Sequence, residues 1–275
     1  MGAFTENGVH NSRALGLESL FFQQHGYTET PVVIQCYITL HCGFSCTHCL
    51  AARTGIAAND MSLEIFDRLC REAAALGVQE MLITGGEPLH GKNFGEIVAC
   101  LGHHGLIWSL NTAACPNEQQ QAAILSYPPA YVAVSLDGPK DVHNAFRGSP
   151  NAYADATSSI RFFSKINGTT VCAGTTVSSF NLPYFDETFD VVMESGAHRW
   201  GVHLLIPEGR AKVRKDLFPS AFQMRQLQRL ARLWQWMLAS APARHTVFQT
   251  SLERSKIVQG CGLHRTLHWH TQWLR

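Results

Sequence analysis

Residues 32–49 read VVIQCYITLHCGFSCTHC, and their reading decides the architecture of the chain. The first eight are mostly β-branched or apolar, which predicts a strand over 32–39. That strand runs into Cys42, Cys46 and Cys49, a Cys-x3-Cys-x2-Cys triplet in the loop that leaves its carboxyl end. Three thiolates so spaced can converge on one centre. In parallel α/β architectures the loops after the strands are where ligands gather.

Outward from this stretch the pattern repeats. Further strands are expected at 79–84, 106–111, 131–136, 170–177 and 200–206, with helices near 62–76, opened by Ser62, and near 92–103, 117–126, 152–166, 181–195 and 219–239. Such alternation signals βα units on a parallel sheet. With 275 residues, 45% of them apolar, the chain has ample material for one core. The expected fold is α/β, a partial (βα)6 TIM-like barrel with a parallel sheet, open on one side because no clear strand and helix pair follows residue 240. The barrel is expected over 31–240, after a weakly structured leader at 1–30 interrupted by Gly2, Gly8, Gly16 and Gly26. Leu227, Leu230, Leu233, Trp234, Met237 and Leu238 give the helix at 219–239 one apolar face, that of an outer helix packed on the barrel.

Composition narrows the function classes. Lys and Arg total 22 against 21 Asp and Glu, so no net field draws in nucleic acid or an anionic membrane. The N-terminus lacks a signal-peptide pattern, and the apolar runs fall short of the ~20 residues that span a bilayer. Neither nucleic acid nor a membrane is an expected partner. Nine cysteines, an odd number without a secretion signal, fit a cytoplasmic location better than a disulfide framework. The scattered Cys36, Cys70, Cys100, Cys115, Cys172 and Cys261 read mostly as small core residues.

The triplet itself has two readings. A zinc ion with His41 or His48 as fourth ligand would staple the loop. An iron–sulfur cube held by only three cysteines would instead leave one iron open to a further ligand. Zinc modules usually present paired Cys-x2-Cys arms, and no second pair exists in the sequence, so the triplet favours the cluster.

The triplet resembles the signature of the radical S-adenosylmethionine superfamily, and the likeness extends over roughly residues 32–207. It implies one 4Fe-4S cluster on Cys42, Cys46 and Cys49, S-adenosylmethionine at the open iron, and reductive cleavage to a 5′-deoxyadenosyl radical that abstracts hydrogen from a substrate. A low-potential electron donor such as flavodoxin or ferredoxin is implied with it. Thr84-Gly85-Gly86-Glu87-Pro88-Leu89 is similar to the family's Gly-Gly-Glu-Pro segment. The resemblance implies that Gly85 and Gly86 bring main chain close to the methionine end of the cofactor, with Glu87 adding a compensating negative charge. His48 stands at a position that is usually aromatic in the family and close to the adenine, although a loop histidine facing solvent is an equal reading.

Ser135-Leu136-Asp137-Gly138-Pro139, followed by Arg147, resembles peptide-modifying and sulfatase-maturating members of SPASM or twitch type. Ser135 and Arg147 are thereby implied to hold the cofactor carboxylate, and the substrate to be a peptide, a protein or an intermediate of a peptide-derived cofactor, with other radical chemistries, such as those altering tetrapyrroles, left open. Asp137 reads as the first residue of an Asp-Gly turn. Leu205 either lies under the adenine or packs in the core. Thr112-Ala113-Ala114 replaces the family's common Thr-Asn-Gly, which leaves the contribution of that loop open. Gly260-Cys261-Gly262 resembles the opening of the auxiliary-cluster extension, but no cysteine follows, so 241–275 is read as a truncated extension with His264, His268 and His270 as surface residues. The alternative function is a non-catalytic, zinc-stapled or truncated α/β binding protein.

Overall fold

A computed structural model describes residues 31–50 and 60–227, and 247–250 as backbone. The leader at 1–30, the helix at 219–239 beyond Leu227, and the tail with Cys261 and its histidines lie outside the described residues. Seven strands form one sheet in chain order, each neighbouring pair parallel. They are β1 (Val33–Thr39), β2 (Glu80–Gly85), β3 (Trp108–Thr112), β4 (Tyr131–Ser135), β5 (Thr170–Val177), β6 (Arg199–Leu204) and β7 (Val247–Thr250). The crossovers carry α1 (Leu63–Ala75), α2 (Phe94–His103), α3 (Glu118–Ser126), α4 (Lys140–Arg147), α5 (Ala152–Phe163) and α6 (Phe185–Ser195). Among the described residues β1 and β7 are the edges, so the barrel is partial and open.

The period of two along each strand separates two environments. Ile34, Cys36 and Ile38 of β1, Met81 and Ile83 of β2, and Val132 and Val134 of β4 belong to one apolar core with Phe66, Ile97, Val98, Ile160 and Phe163 of the helices. The alternate positions, among them Gln35, Tyr37, Thr84, Asn111, Ser135 and Thr176, line an open cavity on the other face. A closed barrel of this kind fills its interior with branched apolar side chains. Here that face also carries hydrogen-bonding side chains, which suits a chamber for a ligand.

Two of the helices start on capping side chains. The Ser62 side chain accepts from the Ile65 amide at the start of α1, and Asn117 forms a reciprocal capping box with Gln120 at α3. Two elements differ from the sequence reading. β7 pairs with β6 beyond residue 240, where no strand is expected, because four residues are too few for a period to register. α4 is absent from the sequence reading because its eight residues bury only Val142, His143, Phe146 and Arg147. Its punctuation was present, however, in Pro139 before the first turn and left-handed Gly148 after the last.

Candidate active site

The loop that carries the cysteines is held from three sides. Glu87 N donates to His41 O at 2.7 Å, Gly86 N to Thr39 O at 2.8 Å, and Gly43 N to the His90 ring at 3.0 Å. A Cβ on Gly86 would stand 2.3 Å from His41 O, and one on Gly85 2.3 Å from Thr39 O. The expected close approach of these glycines is thus made to the main chain entering the cysteine loop. From a second side, the end of α4 offers carbonyls that lack helical partners, and the loop fills them: Ser45 N donates to Arg147 O at 3.0 Å and Thr47 N to Phe146 O at 3.4 Å. On the third, Arg210 N donates to Cys49 O at 3.0 Å and its guanidinium to Cys46 O at 3.1 Å.

All ten residues singled out from the sequence line one cavity of about 450 Å³. Cys42, Cys46, Cys49 and His48 come from the cysteine loop; Gly85, Gly86 and Glu87 follow β2; Ser135 ends β4; Arg147 ends α4; Leu205 follows β6. Leu205 lines the cavity and also packs against Ala211 and Leu217. Burial pushes the Cys42 thiol up to about 11, with the Glu87 carboxylate and the neighbouring thiols adding to it. Cys46 is raised by burial too, against the pull of Arg147. Any metal taken up by these thiols must therefore displace protons.

Two polar side chains, Glu87 and Asp137, behave differently from their sequence reading. Both Glu87 oxygens are engaged: Oε1 accepts from Thr112 Oγ1 at 2.5 Å and from Leu89 N at 3.2 Å, and Oε2 from Ala113 N at 2.8 Å. Its carboxyl is raised by burial, so Glu87 is a latch onto the end of β3, not a free charge for a ligand. The Thr112-Ala113-Ala114 loop supplies the donors of that latch. Asp137 is no turn residue. It is fully buried, its Oδ2 accepts from Arg147 Nε at 2.6 Å, and its Oδ1 from Thr176 N at 2.8 Å. Burial, the largest single influence, opposes the charge on Asp137, but the Arg147 guanidinium together with the His143 and His48 rings holds the carboxyl below its ordinary value.

Arg147 accordingly spends its Nε on Asp137, while Nη1 lies 3.9 Å from Cys46 Sγ. His143, which the sequence reading left without a role, accepts the Asp137 amide on Nδ1 at 2.9 Å. Burial pushes His143 down to about 4, so the ring is neutral. The His48 ring stacks on Phe146, centroids 4.1 Å apart and planes 13° apart. Burial, with Arg147 nearby, lowers His48 to about 4 as well.

The donor set distinguishes the two metal readings. A tetrahedral ion with ligands at zinc distances holds its donors about 3.3–3.8 Å apart. Among the described residues, no three of His41, Cys42, Cys46, His48 and Cys49 bring donor atoms within 4.8 Å of one another. A four-iron cube binds each thiolate at a separate corner and needs the wider spacing. The loop also keeps two buried polar atoms without hydrogen-bond partners, Thr47 Oγ1 and His48 Nδ1, as a site awaiting a ligand would. The residues fit a cluster with a bound cofactor better than one zinc ion.

The comparisons with known proteins agree. A model of the Radical SAM superfamily matches residues 36–204. The AdoMet-dependent heme synthase of Oleidesulfovibrio alaskensis is 30% identical over 177 residues, 63% of this chain and 45% of the relative. Mycofactocin maturase MftC of Mycolicibacterium smegmatis is 28% identical over 216 residues, 77% of this chain and 53% of the relative. Among solved structures, Streptococcus suis SuiB bound to S-adenosylmethionine superposes with a TM-score of 0.68 at 14% identity, over 91% of this chain and 57% of that one. SuiB has also been solved bound to its precursor peptide SuiA. The chain spans about half the length of the curated relatives it matches.

Proposed function

The chain belongs to the radical SAM superfamily, whose members are enzymes that bind a 4Fe-4S cluster and S-adenosylmethionine, and from that premise we propose that it modifies a peptide or protein by hydrogen abstraction. Cys42, Cys46 and Cys49 hold the cluster in this reading. When bound, the cluster and cofactor supply one-electron cleavage of the sulfonium and a carbon-centred radical. The chain's own residues bind and orient. Ser135 and the outer nitrogens of Arg147 take the cofactor carboxylate, with Asp137 fixing the guanidinium plane. Gly85 and Gly86 set the distance between the two motif loops, and His48 and Leu205 flank the adenine.

The observation that carries the peptide reading is the absence of further positive charge from the described lining, in which neutral polar groups of the sheet stand beside the apolar Phe44, Leu50, Leu204 and Ile206. Gln35, Tyr37, Thr84, Asn111 and Thr176 are uncharged hydrogen-bonding groups on the inner face of the sheet. Among the described lining residues Arg147 is the one cation, and Asp137 already pairs it. A tetrapyrrole with several carboxylates would call for more positive charge, whereas peptide groups are matched by neutral donors and acceptors. SuiB and the maturase support the same substrate class.

The test is anaerobic reconstitution with iron and sulfide, then S-adenosylmethionine and a low-potential reductant. The expected product is 5′-deoxyadenosine, absent with Cys46→Ala. Co-expression with short peptides encoded beside the gene is expected to change the mass of one of them. Turnover of an iron porphyrin precursor, with every peptide left unchanged, would overturn the substrate assignment.

A further inference from the structure

We propose that Asp67, Cys100 and His104, with Cys70 beside them, form a second metal site for a single zinc-type divalent ion on the helical face of the barrel. Asp67 and Cys70 lie one turn apart on α1, Cys100 and His104 one turn apart at the end of α2, and the two helices pack side by side. One donor atom from each of Asp67, Cys100 and His104 lies within 4.8 Å of the other two. His104 Nε2 is 2.9 Å from Asp67 Oδ1, and Cys100 Sγ is 3.7 Å from the same oxygen. The fully buried Cys70 thiol is in hydrogen-bonding contact with that of Cys100 from the core side.

Two thiols, an imidazole and a carboxylate make a borderline-soft set of the kind zinc takes in four-coordinate sites. Without an ion these groups share protons with one another. Binding expels those protons; Asp67, Cys100 and His104 need only a small adjustment to tetrahedral spacing, about 3.3–3.8 Å, while Cys70, outside that group of three, would turn toward the ion from its contact with Cys100. Entry is open from solvent, because the Asp67 side chain is 50% exposed and Cys100 is half-buried, with Cys70 alone fully buried. With two thiolates and one carboxylate the loaded site carries a net negative charge, and Arg71 Nη1, 3.6 Å from Asp67 Oδ2, offsets part of it. α1 and α2 lead into β2 and β3, so the ion would tie the first βα units together from outside. None of its donors belongs to the cysteine loop.

The test uses the full chain with its iron–sulfur cluster loaded. After excess Zn2+ and dialysis against a weak chelator, about one zinc per chain is expected to remain in addition to the iron. The Cys100→Ser, His104→Ala double variant is expected to lose that zinc with iron content and far-UV dichroism unchanged. Asp67→Asn, at the exposed donor, serves if the double variant misfolds, and should weaken zinc by on the order of tenfold or more. Co2+ should give the d–d bands of a tetrahedral ion with a thiolate charge-transfer band in the native chain and in neither variant. Zinc retained equally by the double variant, zinc gained only as iron is lost, or no zinc retained by the native chain would each overturn the proposal.

Discussion

Asp137→Asn isolates the buried ion pair in the cavity wall. Asparagine keeps the size of the side chain and, through its oxygen, the hydrogen bond from the Thr176 amide. Its NH2 then faces the Arg147 Nε–H, donor against donor, where the native oxygen sits 2.6 Å away. Arg147 remains charged and buried, so the cost is that of a broken buried pair, about 3–5 kcal/mol. Against the ~5–15 kcal/mol by which ordinary domains are stable, that is a large fraction. Urea unfolding of the reduced, cluster-free chain at neutral pH should show a lower midpoint with unchanged slope. Changing Arg147 to Gln as well removes the stranded charge. The double variant should therefore be more stable than Asp137→Asn alone, with a coupling of about 1–3 kcal/mol in the cycle. A loss under about 1 kcal/mol, the range of exposed pairs, or strictly additive effects would refute the assignment of Asp137 to Arg147.

Four other perturbations probe the same region. Gly86→Ala sets a methyl 2.3 Å from His41 O, where only main chain can yield, and should cost about 1–3 kcal/mol and lower the iron retained per chain; full iron retention would contradict the tight junction. Gly148→Ala combines a φ of 63° with a contact of 2.8 Å to Ser45 Cβ. It should destabilise by ~1–2 kcal/mol in urea, and an unchanged midpoint would count against that strain. His143 titrates ordinarily near 6.5 but near 4 when folded, so the unfolded chain binds the extra proton and stability falls as pH drops from 6.5 towards 4, by up to about 3 kcal/mol. His143→Asn, which keeps an acceptor for the Asp137 amide, should reduce that slope, with His48 carrying a similar share over the same range, and an identical slope would refute it. Arg147→Ala should weaken S-adenosylmethionine binding by about tenfold or more by titration calorimetry, with iron content changed far less.

What the sequence made legible follows from how local each signal is. The first six strands announce themselves through runs such as Val32–Thr39 and Thr170–Val177, and Ser62 marks the start of α1 with its own hydroxyl. The gathering of the cysteines with Gly85, Gly86 and Ser135 was legible because each ends or follows a strand, and a parallel barrel sends those ends one way; Arg147 joins them from α4, a short helix that follows β4 ahead of the crossover helix α5. The destinations of the polar atoms were not. That Glu87 grips Ala113 depends on which strand end lies beside it, and that Arg147 answers Asp137 depends on α4, a helix whose apolar signal is only Val142 and Phe146. Likewise, Asp67 and Cys70 mean little on one helix and Cys100 and His104 little on another until α1 and α2 lie side by side.

An open barrel lacks the continuous ring of hydrogen bonds that fixes a closed one, so its mouth must be held in place by other means. The two carboxylates of the sequence motifs perform that task in the same way. Glu87, after β2, accepts the amide at the end of β3, and Asp137, after β4, accepts the amide of Thr176 near the end of β5. At the edge, Thr39 of β1 donates to Asp60 at 2.5 Å and accepts from His41 N at 3.0 Å. Each carboxylate thus ties its own loop to the next strand. Glu87, which the motif reading hands to the ligand, and Asp137, which it reads as a turn residue, are both committed to the frame, and among the described lining residues Arg147 is the one cation. Variants at Glu87 and Asp137 should therefore show first as lost stability and lost iron, and only secondarily as weaker cofactor binding. Variants at Ser135 should show the reverse order, because that hydroxyl lines the cavity without holding any strand end.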